Sequence, residues 1–416
     1  MATHAASIAA GPGCAMRGWI PPLPLALGAL FGVLSWVLVI LYGVTPSFGI
    51  ALAWIHAVAL GSFTTIALSV LIHVVPGFTD LSWRGEQVAR WSSRLVPFAA
   101  AGLVLSFASG SAGGVAAFGV ASALLILCYA SAAIATLAQK TPDPTDAVVA
   151  RAFLTVMAFL AFTAVLGALL AYGYQNGNAR LLLFAPEHGS LAIVGWLTML
   201  TMGVSIRTLR PILGSDPRWR PMHVASTSLM LLSAVAIPFA FAIGNAVSTH
   251  LAFALALVAA LAYAVDGLDR VRRAQTPNKP AHAFVTASLA WLIFSAAVAL
   301  MGAYDLAIVS ALAGWLGQMV NAHLHHIGIR VVATTFAGDD DETRPWELID
   351  SRLSWTTFAL AQVAVALLVI AVATSVSSEY VTSGCAGLGA ALTLAANVGI
   401  AIGRAKNARG ADGHHR

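Results

Sequence analysis

Histidine is the residue type in this chain best suited to chemistry. An imidazole held away from water must find a partner, and it is a common protein ligand for haem iron, copper and zinc. The chain has 12 histidines. His4, His414 and His415 lie in the tails, and the other nine lie at or within apolar segments. Alternating those segments across a membrane sorts the nine into two faces. His56, His188 and His250 fall on the outer one, and His73, His223, His282, His323, His325 and His326 on the inner one. His56 and His73 stand seventeen residues apart, about 25 Å along a helix, so they cannot share a metal and any chemistry is two-sited.

The outer face offers a pair. His56 precedes Gly61 by five residues and His188 precedes Gly195 by seven, which places the two imidazoles within about 3 Å of the same depth. Matched depth on neighbouring helices is what bis-histidine haem ligation needs. The competing reading is that these are interfacial histidines wetted by loop water. The inner face offers a cluster. On a helix His323 and His326 share a face while His325 points away, so His73, His323 and His326 form a candidate metal site with Arg207 at the same level. No Asp or Glu lies beside them in the spans, which suits copper or haem better than magnesium or calcium. The alternative is a polar cytoplasmic mouth that binds nothing.

The elements that position these residues are membrane helices. With 59% hydrophobic and 9% charged residues, and a mean hydropathy of +0.84, the chain has too little polar surface for a soluble enzyme. Twelve apolar spans are expected at 22–43, 50–75, 95–110, 114–137, 149–173, 187–212, 223–244, 249–266, 281–301, 304–332, 354–375 and 382–402. The third is short for a bilayer, while the second, sixth and tenth are long enough to tilt. An N-in, C-in topology puts every basic residue except Arg180 on the inner side. The expected fold is therefore all-α, a single integral membrane domain over 1–416 with a cytoplasmic tail at 403–416. The net charge of +5 then needs no nucleic acid partner. No cleavable signal peptide is evident in the first seventeen residues, and the acidic run Asp339–Glu342 is most simply a solvated loop face. Cys14, Cys128 and Cys385 are too scattered for a disulfide framework or a Cys-x-x-Cys site. Gly113-Gly114 is expected to form a turn.

A pattern recurs along the chain. Gly61, Gly195-Trp196 and Gly314-Trp315 fall in the second, sixth and tenth spans, with His73, Arg207 and His326 twelve residues after each glycine and Pro76 and Pro211 near two of the helix ends. This predicts three groups of four helices, approximately 20–137, 149–266 and 281–402, arranged as a ring of three arcs with pockets between them. Acidic groups in the spans reduce to Glu187, Asp266 and Asp305, too few for the proton wire of a pump or a usual proton-coupled transporter. Hydrolase motifs, phosphate loops and dinucleotide fingerprints do not stand out.

The stretch from His56 to Asp80, HAVALGSFTTIALSVLIHVVPGFTD, resembles the NnrS-type membrane proteins and their relatives in the haem–copper oxidase subunit I superfamily. His56, Gly61 and Pro76 match the histidine, glycine and far-end proline of the second helix there, and Gly77-Phe78-Thr79-Asp80 approximates a polar turn seen in NnrS-type proteins. The run from His188 through Gly195-Trp196 to Arg207 and Pro211 is similar to the sixth helix of subunit I-like proteins. The resemblance covers about fifty residues in motif. It implies twelve helices in three arcs, His56 and, less directly, His188 as haem ligands, and a link to haem, copper and nitric oxide tolerance. Three departures stand against oxygen reduction. Residues 224–244 hold no histidine pair, the histidines of the tenth span fall towards its inner end, and Ala192 stands where a tyrosine is found in true oxidases.

The expected protein is thus a bacterial inner-membrane, haem- or copper-binding relative of subunit I, in nitric oxide or respiratory-metal physiology and without an assigned turnover. Its expected partners are the lipid bilayer and a respiratory or redox protein. Two alternatives remain open, a cofactor-free transporter or channel and an assembly or structural subunit of a respiratory complex.

Overall fold

The computed structural model describes residues 22–141, 144–331 and 345–412; the acidic run at 339–342, Cys14, His4, His414 and His415 lie outside them. The described residues are helical throughout, with no strand. Inside hydrocarbon no water can satisfy a backbone N–H or C=O, so a chain this apolar must pair those groups within helices. The helices are α1 (Pro22–Val44), α2 (Phe48–His56), α3 (Thr65–Thr79), α4 (Glu86–Ala108), α5 (Ala112–Leu137), α6 (Pro144–Asn176), α7 (Ala179–Leu182), α8 (Ala185–Ser190) and α9 (Met199–Leu213). They continue as α10 (Arg220–Ile243), α11 (Ala246–Arg272), α12 (Lys279–Leu300), α13 (Tyr304–Val309), α14 (Gly317–His323), α15 (Pro345–Leu348), α16 (Ser351–Thr374) and α17 (Ser377–Asp412). Four wider, π-helical segments are spliced between them: π1 (Ala57–Thr64), π2 (Leu191–Thr198), π3 (Ser310–Leu316) and π4 (Leu324–Gly328).

Polar caps stop the helices where the apolar runs end. Ser47, Asn245 and Asn278 accept the N–H of Ile50, Val247 and Ala281, and Gly214 and Gly244, both at φ +69°, close α9 and α10. Among the described residues eleven helical stretches are long and apolar enough to cross a membrane, so the chain is a multi-pass membrane protein. The run from α13 to Val331 is comparably long but less apolar, because Gln318, Asn321, His323, His325 and His326 interrupt it. Two local expectations change. The third span starts at Glu86 rather than 95, since its first turns carry the Glu86–Arg90 ion pair at 2.6 Å. Gly113 and Gly114 lie in the first turn of α5, where the Gly114 N–H donates to the Ser111 side chain, so they form no turn.

One local structure occurs three times. Gly61, Gly195 and Gly314 are each the fifth residue of π1, π2 and π3. A Cβ on any of them would overlap a ring on the preceding long helix, Phe31 of α1, Phe159 of α6 or Trp291 of α12. Each glycine therefore lets an aromatic ring press on the helix backbone, and α1, α6 and α12 pack against π1, π2 and π3 in turn. Hydrogen bonds then join the π segments. Trp196, next to Gly195, donates through Nε1 to Thr64 Oγ1 at 3.0 Å, and Trp315, next to Gly314, donates to Thr198 Oγ1 at 3.2 Å. The third link is missing for a chemical reason, since Ser62 holds the tryptophan position and Gly317 the threonine position. Packing of α17 against α1 brings the last helix beside the first, with Gly387 facing the Trp36 ring.

Candidate metal centre

His56 is the last residue of α2, directly before π1. Its Nδ1 lies 2.8 Å from the Leu52 carbonyl oxygen, one turn back on its own helix. A carbonyl can only accept, so Nδ1 carries the proton and the neutral ring keeps its lone pair on Nε2. His188 reaches the same state by a different route. Its Nδ1 lies 3.0 Å from the carbonyl oxygen of Thr163, across the interface on α6. One turn further along α6, Gly167 leaves room for the imidazole, as a Cβ there would stand 3.0 Å from His188 Cε1. Helix α6 thus supplies both the acceptor that orients this ring and the space that admits it.

The two rings meet. Their centroids are 6.5 Å apart and their planes differ by 16°. The donor set fits a metal held by two neutral imidazoles, because both Nδ1 atoms are occupied by carbonyls that set the tautomer and strengthen Nε2 as a donor. Phe107 of α4 lies against His56 at 4.9 Å, and Tyr174 of α6 meets Phe107 edge-on at 6.0 Å, giving the pair an apolar wall. Glu187, beside His188 in sequence, is buried with Oε2 making no hydrogen bond in the protein. The third outer histidine, His250, is exposed and bonds the Ala246 carbonyl at 2.6 Å.

The remaining histidines behave differently. His73 on α3 has Arg90 and Glu86 of α4 as its charged neighbours, and its Nε2 is buried without a protein partner. His323 uses both nitrogens: Nδ1 donates to the Met319 carbonyl at 2.8 Å, leaving Nε2 to accept from Thr208 Oγ1 at 2.9 Å. His326 is buried with Nδ1 unpartnered, near His323, His282 and Arg330. His325 lies against the Phe284 ring at 5.0 Å, and its Nδ1 donates to the Asn321 carbonyl. Arg207 sits over the Phe78 ring, 6.0 Å from its centre. Among the described residues, no group of three or more His, Cys, Asp or Glu side chains stands together as a metal site, so His73, His323 and His326 do not assemble into one there. The wider π4 segment begins at Leu324, so the α-helical spacing that pairs His323 with His326 does not hold through the cluster.

Depth arithmetic anticipated the meeting of His56 and His188. It did not find Thr163, Gly167 or Phe107, which create the site from other helices. Glycine at 167, among larger apolar residues on a long span, was the one available signal for a close approach. The chain matches no family model and no curated protein.

Proposed function

We propose that this protein is a bacterial inner-membrane protein of twelve spans, N-in and C-in, in which His56 and His188 hold haem iron or copper between the first and second groups of helices. The observation that carries this reading is the 6.5 Å, near-parallel approach of two rings whose Nδ1 atoms are both held by carbonyls. When bound, such a metal supplies a one-electron couple. The chain's own residues orient the ligands through Leu52 and Thr163 and exclude water with Phe107 and Tyr174. The resemblance of the His56–Asp80 stretch to NnrS-type proteins supports a role in nitric oxide or respiratory-metal physiology, with a redox protein as partner. The test is a reduced-minus-oxidised visible spectrum of the detergent-purified protein, made with haem and copper supplied, with iron and copper quantified on the same sample. Metal near one equivalent, lost in His56→Ala and in His188→Ala, supports the reading; metal-free wild type overturns it.

A second reading is a cofactor-free transporter or channel. It is favoured by the polar stripe Gln318, Asn321, His323 and His326 on the least apolar of the long helical runs. Transport activity retained in His56→Ala would support it.

A further inference from the structure

The second group of helices buries a compact ionisable cluster around His223. His223 opens α10, and Asp266 and Arg270 lie one turn apart near the end of α11. His223 is 6% exposed, Asp266 1% and Arg270 0%. His223 Nδ1 stands 3.2 Å from Asp266 Oδ2, so Nδ1 donates and the carboxylate accepts; in the neutral ring the lone pair is then on Nε2. Arg270 donates through Nη2 to the Ser215 carbonyl at 3.3 Å, and Ser215 Oγ donates back to the Arg270 carbonyl at 2.9 Å. Four atoms remain without a partner in the protein: Asp266 Oδ1, His223 Nε2, Arg270 Nε and Arg270 Nη1.

Burying charges in this way is costly unless each is hydrogen-bonded. Two of the four atoms are acceptors and two are donors. An anion would be repelled by Asp266 and a cation by Arg270, whereas water both donates and accepts and serves all four. We propose that His223, Asp266 and Arg270 form a hydrated, proton-binding site inside the membrane domain. The incoming proton is delivered by water and bonds to His223 Nε2. No covalent bond to a heavy atom changes, and the site passes from net neutral, with Asp266 negative and Arg270 positive, to net positive.

The charged surroundings are defined. On α11 Tyr263 packs 5.8 Å from the His223 ring and donates to Ser205 Oγ of α9 at 2.6 Å. Towards solvent, Asp216 pairs with Arg210 at 3.2 Å, and Arg273 pairs with Asp269 at 2.7 Å while also bonding the Asp216 carbonyl at 2.9 Å. Helix α12 contributes Lys279 and His282, the latter bonded to Thr276 Oγ1 at 2.7 Å. Tyr263 and Ser205 extend the polar line inward to Trp315, whose ring meets Tyr263 edge-on at 5.9 Å.

The experiment is nitrogen NMR of the full chain in nanodiscs with labelled histidine, the His223 signal being identified by its loss in His223→Gln. The proposal expects an Nδ1–H tautomer at high pH, a cross-peak to water, and protonation as the pH falls. In Asp266→Asn and in Arg270→Gln the midpoint differs from that of the wild type, because each removes a charge beside the imidazole, so a variant that fails to fold does not remove the test. A His223 signal that does not titrate, that shows no water cross-peak, or whose midpoint stays put in both charge variants overturns the proposal.

Discussion

The His56–His188 pair and the His323–His326 cluster present the same side chain in two opposite organisations. His56 and His188 come from different groups of helices, share no sequence neighbourhood, and face one another across 6.5 Å. His323, His325 and His326 are packed within four residues, yet one ring accepts from Thr208, one lies on Phe284 and one has an unpartnered Nδ1. Local density therefore misleads: adjacent positions on a helix radiate outward, and a ligand pair needs two helices that point inward at one depth. Carbonyls hold the Nδ1 atoms of His56, His188, His323 and His325 alike; what differs is that His56 and His188 lie ring to ring, whereas the Nε2 of His323 is taken by Thr208 and the His325 ring lies on Phe284.

Breaking the outer pair produces the largest expected effect. Replacing His56 or His188 with Ala removes bound metal, while His323→Ala leaves it, as judged by metal content and visible absorbance of the purified protein. The supporting helix comes next. A Cβ at Gly167 falls against the His188 ring, so Gly167→Val displaces that ligand without touching a donor atom. The expected loss of metal affinity is about 10–100-fold, the usual cost of disturbing a ligand's support. Metal titration followed by absorbance measures it.

The repeated glycine seats are expected to matter for stability. Gly195→Ala drives a methyl group into the Phe159 ring and should cost about 1–3 kcal/mol by overpacking. Thermal unfolding in detergent, read beside Gly113→Ala where a Cβ meets nothing within 4 Å, separates crowding from helix propensity. A smaller loss, about 1 kcal/mol, is expected for Trp315→Phe, which removes the hydrogen bond to Thr198. The smallest effect lies at the α16 start. Asp350 accepts the N–H groups of Arg352 and Leu353, which hold its carboxyl below the usual carboxylate range. A depressed folded value stabilises above the unfolded one, so the benefit persists at neutral pH and disappears only as the pH falls through the folded value. Asp350→Asn should therefore lower the neutral limb of a melting-temperature profile slightly and flatten the acid limb, the two profiles converging at low pH.

Apolar blocks and glycines made the spans and the three glycine seats legible from residue type and spacing alone, and the depth of His56 against His188 followed from helical rise. The π segments are not legible in the sequence, because the rings that abut their glycines, Phe31, Phe159 and Trp291, lie more than twenty residues away along the chain. The same reason hid Thr163 and Gly167. The scarcity of acids argues against proton chemistry, but the observed spans also hold Glu86, Asp269 and Glu379, and no count shows that Asp266 meets His223 from another helix at 3.2 Å.

The central claim is that one metal is shared by His56 and His188. X-ray absorption at the metal edge of the purified protein reads this directly. The account predicts two imidazole nitrogens at about 2.0–2.1 Å in the wild type, unchanged in His323→Ala and reduced by one or lost in His56→Ala. A metal whose imidazole shell survives both His56→Ala and His188→Ala, or is lost in His323→Ala, would contradict it.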